Sequence, residues 1–134
     1  IFPVRRRGEE ICALTIRRPD LYLESAWDWG ILKGCFGGSR IEPTDIDGLV
    51  ERNGRFLVLE AKKPGVRIKQ GQMLTFNALR NTGLFTIIVV WGENNVPYEM
   101  LVMYPPPIQP RRNRATLEDL RRVVKWWYDR VAGG

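Results

Sequence analysis

Histidine is absent from the 134 residues, and that one absence removes several chemistries. A Ser-His-Asp triad, a histidine-metal nuclease site and the H-E-x-x-H zinc hydrolase pattern all need imidazole. Any metal ligated by this chain would therefore be held by oxygen. Cysteine is scarce too: Cys12 and Cys35 lie far apart with no C-x-x-C spacing, so a structural zinc site within one chain is not expected. Two reduced thiols in a cytoplasmic, reducing compartment are the expected state, although sequence alone leaves a disulfide open. No G-x-x-x-x-G-K-[ST] occurs, so the chain carries no nucleotide motor of its own. The longest apolar run, residues 84–91 with Thr86 inside it, is far short of the ~20 residues of a membrane span, and no membrane association is expected. No signal-peptide pattern is visible. The chain starts at Ile1 rather than Met, which leaves room for a lost leader.

What is present in quantity is positive charge. The formal net charge is +6, which favours an anionic partner, because Lys and Arg that neutralise phosphates release counterions. The basic residues are clustered, at Arg5, Arg6 and Arg7, at Arg17 and Arg18, at Lys62 and Lys63 with Arg67 and Lys69, and at Arg111 and Arg112 with Arg114. Nucleic acid is the expected partner. With 44% hydrophobic residues, a chain of this size can bury the core of one ordinary domain, and a single domain over residues 1–134 is expected.

A pass along the chain gives an ordered series of elements. Asp20 is a good N-cap for a helix running to about Lys33 with Gly34 as its stop, and Leu23, Trp27 and Ile31 form a core-facing stripe at helical spacing. The glycine-rich residues 34–40 read as a loop. Two strands follow, joined by Asn53-Gly54, a strong hairpin signal. Pro64-Gly65 breaks the chain, and a helix is predicted over residues 69–81, ending near Gly83. Residues 84–91 read as a fully buried central strand, and residues 98–104 as another strand after a turn at Glu93-Asn94-Asn95. The prolines from Pro105 to Pro110 predict an extended strut, part of a connector over residues 105–113. Thr116, with Asp119 three positions on, caps a last helix over about residues 116–131, whose apolar stripe is Leu117, Leu120, Val124, Trp127 and Val131.

The chemistry is concentrated in residues 42–62, Glu-Pro-Thr-Asp-Ile-Asp-Gly-Leu-Val-Glu-Arg-Asn-Gly-Arg-Phe-Leu-Val-Leu-Glu-Ala-Lys. Strand alternation points Phe56, Val58, Glu60 and Lys62 to one face and Leu57, Leu59 and Ala61 to the other. Hairpin pairing then brings Asp45 and Asp47 beside Glu60 and Lys62. Phosphodiester hydrolysis needs charge neutralisation at the phosphate and an activated water, and a divalent metal held by carboxylates supplies both. Magnesium takes hard oxygen ligands and needs only one or two protein carboxylates, which Asp47 and Glu60 provide. The Lys62 ammonium can position water or stabilise developing negative charge, or serve as general base if desolvation lowers its pKa. Sequence does not choose among these roles.

This constellation resembles the PD-(D/E)XK nuclease superfamily, an Asp, a hairpin, then Asp or Glu, any residue, and Lys. Glu60-Ala61-Lys62 fits the second half, and Asp47 fits the first at 60 − 47 = 13 residues. The Pro-Asp of the pattern is stretched to Pro43-Thr44-Asp45-Ile46-Asp47, which leaves the principal ligand open; spacing favours Asp47, with Asp45 as an auxiliary. The resemblance spans about residues 21–104 and implies an α/β, restriction-endonuclease-like αβββαβ core, a mixed central sheet flanked by helices, here with an extra C-terminal helix. It implies a magnesium-dependent deoxyribonuclease using metal-activated water, with manganese able to substitute and the Ala61 carbonyl as a further ligand. Gln72, four residues before Phe76 in the second helix, resembles an element of exonuclease-like branches that orients water or phosphate, with Gln70 as competitor; Glu24 on the first helix resembles an added acidic ligand. Lys63, Arg67, Lys69, Arg5, Arg6, Arg7, Arg111, Arg112 and Arg114 are the DNA-contact candidates. Two alternatives stand beside the general nuclease: a Holliday-junction resolvase, which works as a homodimer, and a noncatalytic nucleic-acid-binding module that keeps the fold.

Overall fold

The computed structural model describes residues 27–133, which divide at Pro43 and Thr44 into two compact units. In the first, Trp29–Leu32 forms a single 3-10 turn, not the closing turns of the expected α-helix. Asp28 Oδ1 accepts the Gly30 N–H at 2.8 Å, so a local side-chain bond competes with the helical ladder. The following chain turns through Gly34 and Gly37, both at positive φ, which L-residues adopt at a cost and glycine adopts freely. Trp27 and Ile31 are 72% and 65% exposed, so the predicted core stripe does not form there. Leu23 lies outside the described residues, as does the predicted N-cap Asp20.

The second unit is built on one five-stranded mixed sheet. Strands β1 (Gly48–Arg52) and β2 (Arg55–Lys62) form the expected hairpin. Its turn residues Asn53 and Gly54 have φ of 53° and 77°, the left-handed pair that matches the twist of two antiparallel strands. Helix α1 (Gln70–Asn81) then carries the chain across the sheet, so that β3 (Phe85–Glu93) runs parallel to β2. A second hairpin, turning at Asn94 and Asn95 with φ of 56° and 63°, leads into β4 (Val96–Met103). The strand order is β1-β2-β3-β4-β5, and α2 (Leu117–Ala132) closes the unit.

β3 has no solvent face, which explains its unbroken apolar run. Ile87, Val89 and Trp91 pack with Val58, Met103 and Phe76 of α1, while Ile88 packs the other way with Leu57, Met100, Val102 and Trp127 of α2. Thr116 caps α2 through a capping box with Asp119, as its sequence predicts. Leu117 is the exception in the predicted stripe, half exposed at 50%. No helix among the described residues is long and apolar enough to cross a membrane.

Two expectations about the C-terminal part change. The segment after β4 is not a strut: the Ile108 N–H returns to the Pro105 carbonyl in a turn. Proline fixes its own φ but not the direction of the chain, and the Arg80 guanidinium holds the turn by donating to the carbonyls of Tyr104 and Ile108. Nor is Arg111–Arg114 part of a connector; it is strand β5, antiparallel to β4. Helix α2 packs on the sheet through Trp127, with Leu120, Val124 and Val131 beside it. Trp127→Ala should therefore cost about 3–5 kcal/mol, the range for a large buried aromatic, read as the shift in urea unfolding; a loss below about 1 kcal/mol would mean that α2 is peripheral to the core.

Candidate active site

Glu60 and Lys62 end β2 on the face covered by α1, because the parallel register sets them beside Val89 and Trp91. Gly48 pairs with Leu59, so Asp47, one residue earlier, arrives opposite Glu60. Its Oδ2 accepts the Ala61 N–H at 2.8 Å, which fixes the carboxylate at the end of the strand. The approach to Asp47 is tied to α1 by the hydroxyls of Thr44 and Thr75, 3.3 Å apart.

The first turn of α1 supplies Gln72. Its Nε2 donates to Glu60 Oε2 at 2.9 Å, and Lys62 Nζ lies 3.7 Å from the same oxygen. A carboxylate can only accept, so the amide must turn its NH2 toward Glu60 and its carbonyl away. Glu60 Oε1 and Gln72 Oε1 are consequently both buried without a hydrogen-bond partner. Unpartnered buried acceptors are rare because each forfeits its hydration. Two of them, on side chains that are themselves hydrogen-bonded to each other, make a place suited to a cation or an ordered water.

Electrostatics agree with the geometry. Burial pushes the Glu60 carboxyl above its ordinary range. The hydrogen bond from Gln72 opposes that rise, the neighbouring Asp47 carboxylate adds to it, and the Lys62 ammonium opposes it. No group of three or more carboxylate, thiol or imidazole side chains occurs among the described residues. Two carboxylates are nevertheless enough for magnesium, which keeps several waters, and the donor set Asp47 and Glu60 fits such an ion.

The structure brings Asp47, Glu60, Lys62 and Gln72 together. Asp45 is exposed and makes no hydrogen bond or ion pair with any of these four, and the competitor Gln70 is likewise exposed. Glu24 and Arg5, Arg6 and Arg7 lie outside the described residues. Lys63, Arg67 and Lys69 are exposed on the segment between β2 and α1. Arg112 faces the same side of the sheet, paired with Glu99 and stacked over Trp91 at 4.1 Å from the ring centroid. No family model, curated protein or solved structure matches the chain.

One contributor was not singled out in the sequence. Trp91, beside Lys62 in register, donates its indole N–H to the Val66 carbonyl at 2.6 Å and so anchors the loop that follows Lys62. The signal was a large residue with a polar tip closing an otherwise aliphatic run, since a buried Trp seeks a partner for its N–H.

A raised Glu60 pKa predicts a specific pH dependence for the metal-free protein. Below both pKa values Glu60 is protonated folded and unfolded, and no penalty arises. As pH rises, the unfolded chain releases its proton first, so stability falls until the folded-state pKa is passed. Glu60→Gln should thus be more stable than the native protein at neutral pH in chelator, with the difference shrinking on acidification. Thermal melts across that range check it, and a Glu60→Gln protein less stable at neutral pH would show that the ionised carboxylate is well solvated.

Proposed function

We propose that the chain is a magnesium-dependent nuclease that hydrolyses DNA phosphodiester bonds. The observation that carries this reading is the pair of unpartnered buried oxygens on Glu60 and Gln72, at a strand end where Asp47 is bound to the Ala61 N–H and Lys62 to Glu60. Further support comes from the hairpin of β1 and β2 followed by the α1 crossover to a parallel β3, an arrangement in keeping with a restriction-endonuclease-like core.

In this reading Asp47, Glu60 and the Ala61 carbonyl would hold the ion. When bound, magnesium neutralises phosphate charge and makes water a stronger nucleophile near neutral pH. The chain's own residues do the rest. Gln72 holds the Glu60 carboxylate in place through Oε2 and turns its carbonyl toward the space where water would stand. Lys62, whose side chain is only 11% exposed with its ammonium 3.7 Å from Glu60 Oε2, would stabilise negative charge developing in the transition state. The exposed Lys63, Arg67 and Lys69 border the site and suit the flanking phosphates.

Cleavage of plasmid, single-stranded and four-way-junction DNA with magnesium, against the same panel in chelator, tests the proposal. Magnesium-dependent cleavage supports it, preference for the junction would favour the dimeric resolvase, and binding without cleavage would favour the noncatalytic module. Asp47→Ala and Glu60→Ala should each abolish cleavage while DNA binding persists. Lys62→Ala should slow single-turnover cleavage by about 10²–10⁴-fold at nearly constant affinity. Unchanged rates in all three variants would remove the assignment.

A further inference from the structure

The three arginines of β5 do not act as one patch. Leu101 pairs with Arg112 and packs on the α1 side, and there Arg112 is already engaged by Glu99 and Trp91. Arg111 pairs with Val102 and Asn113 with Met100, both partners belonging to the α2 side. These two therefore point away from Glu60.

On that side lies a groove of about 250 Å³. Its apolar wall is made by Met100, Val102, Val123 and the ring of Tyr104, which is held edge-on against Trp126 at 5.3 Å. Its rim carries Arg111 and Arg122 with the Asn113 amide, and Arg114, which by strand alternation shares the face of Arg112, lines only its end. Asp119 is the opposing charge, and it is committed to the Thr116 cap and to Arg122 at 2.9 Å. Arg111 forms no ion pair among the described residues, so the rim stays net positive.

We infer that this β5–α2 groove is a binding site for single-stranded nucleic acid, on the opposite face of the sheet from the candidate active site. Aromatic and apolar walls take an unstacked base, and flanking guanidiniums take the phosphates on either side. The volume sets the class of ligand. Pockets for drug-sized molecules run from about 300 to 1,000 Å³, and a groove of about 250 Å³ suits a ligand as small as a single base. A duplex, whose bases are turned inward, would reach the rim with its phosphates alone. The inference rests on the nucleic-acid partner proposed above and does not rest on catalysis.

The test is fluorescence anisotropy of labelled oligo(dT) and of a duplex of equal length, in chelator so that nothing is cut, over a salt series. The native protein is compared with Arg111→Gln/Arg122→Gln, both side chains being exposed, and with Lys63→Gln/Lys69→Gln beside the candidate active site. Circular dichroism melts confirm that each variant folds. For the groove variant, oligo(dT) should bind several-fold more weakly, and the log–log salt slope should fall by about 0.7 per arginine that contacts phosphate. Duplex binding should change less. Unchanged oligo(dT) affinity and slope in a folded groove variant, with binding lost in the lysine variant, overturns the groove and leaves the nuclease reading intact. Equal weakening for duplex and single strand overturns the base-in-groove assignment. No binding of either nucleic acid by the native protein overturns both this inference and the nucleic-acid reading beneath it.

Discussion

The parallel pairing of β2 with β3 is the constraint on which the rest of the second unit depends. It requires a crossover, and α1 is that crossover, which places Gln72 over the end of β2. The same pairing buries Glu60 beneath the helix at 8% exposure and stands Lys62 next to Trp91. A slip of one residue between these strands would turn Glu60 and Lys62 to the α2 face and leave Gln72 without its partner. Both sides of β3 are filled by side chains from the two helices, and that filling is what makes such a slip costly.

Within this frame the burial of an acidic residue is a local conflict with stability. Ionised carboxylates resist removal from water, and Glu60 recovers only part of its hydration through Gln72 and Lys62. Folded proteins keep features of this kind where a ligand relieves them. Asp47 raises the cost further, since two carboxylates disfavour each other's charge. A positive ion between them would reverse the sign of that interaction.

Much of this was legible in the chain because the relevant signals are short-range. Asn53-Gly54 fixes a hairpin by turn geometry alone, and the 13-residue separation of Asp47 and Glu60 then follows from pairing. The β-branched run ending at Trp91 declares a buried strand, and Thr116 with Asp119 declares a helix start. The edge strand β5 was not legible, because Arg-Arg-Asn-Arg has no apolar alternation and takes its extended form from β4 beside it. The turn before it depends on Arg80, some 28 residues from the carbonyl of Ile108, a contact that no local pattern announces. The 3-10 turn at Trp29–Leu32 shows the converse, where an apolar spacing suggested a helix but Asp28 and the glycines decided otherwise. Asp45 and Gln70 stand two residues from Asp47 and Gln72, and it is the hydrogen bonds of the latter pair at the end of β2, not visible in the sequence, that distinguish them.

The strand order of the sheet repeats the order of the chain, and this bears on how the second unit assembles. Each strand finds its partner among its immediate sequence neighbours, and three of the four pairings close with short loops. Only the α1 crossover demands a longer search. Chains whose contacts are close in sequence fold faster than those that must join distant segments, because less loop entropy is lost before contacts form. The α2 contacts break the pattern: Trp127 packs with Leu57, and the Asn53 amide donates to the Val131 carbonyl, 78 residues away, at 2.9 Å. That bond ties the first hairpin to the last turn of α2, a latch across the length of the unit whose closure costs more loop entropy than any strand pairing of the sheet.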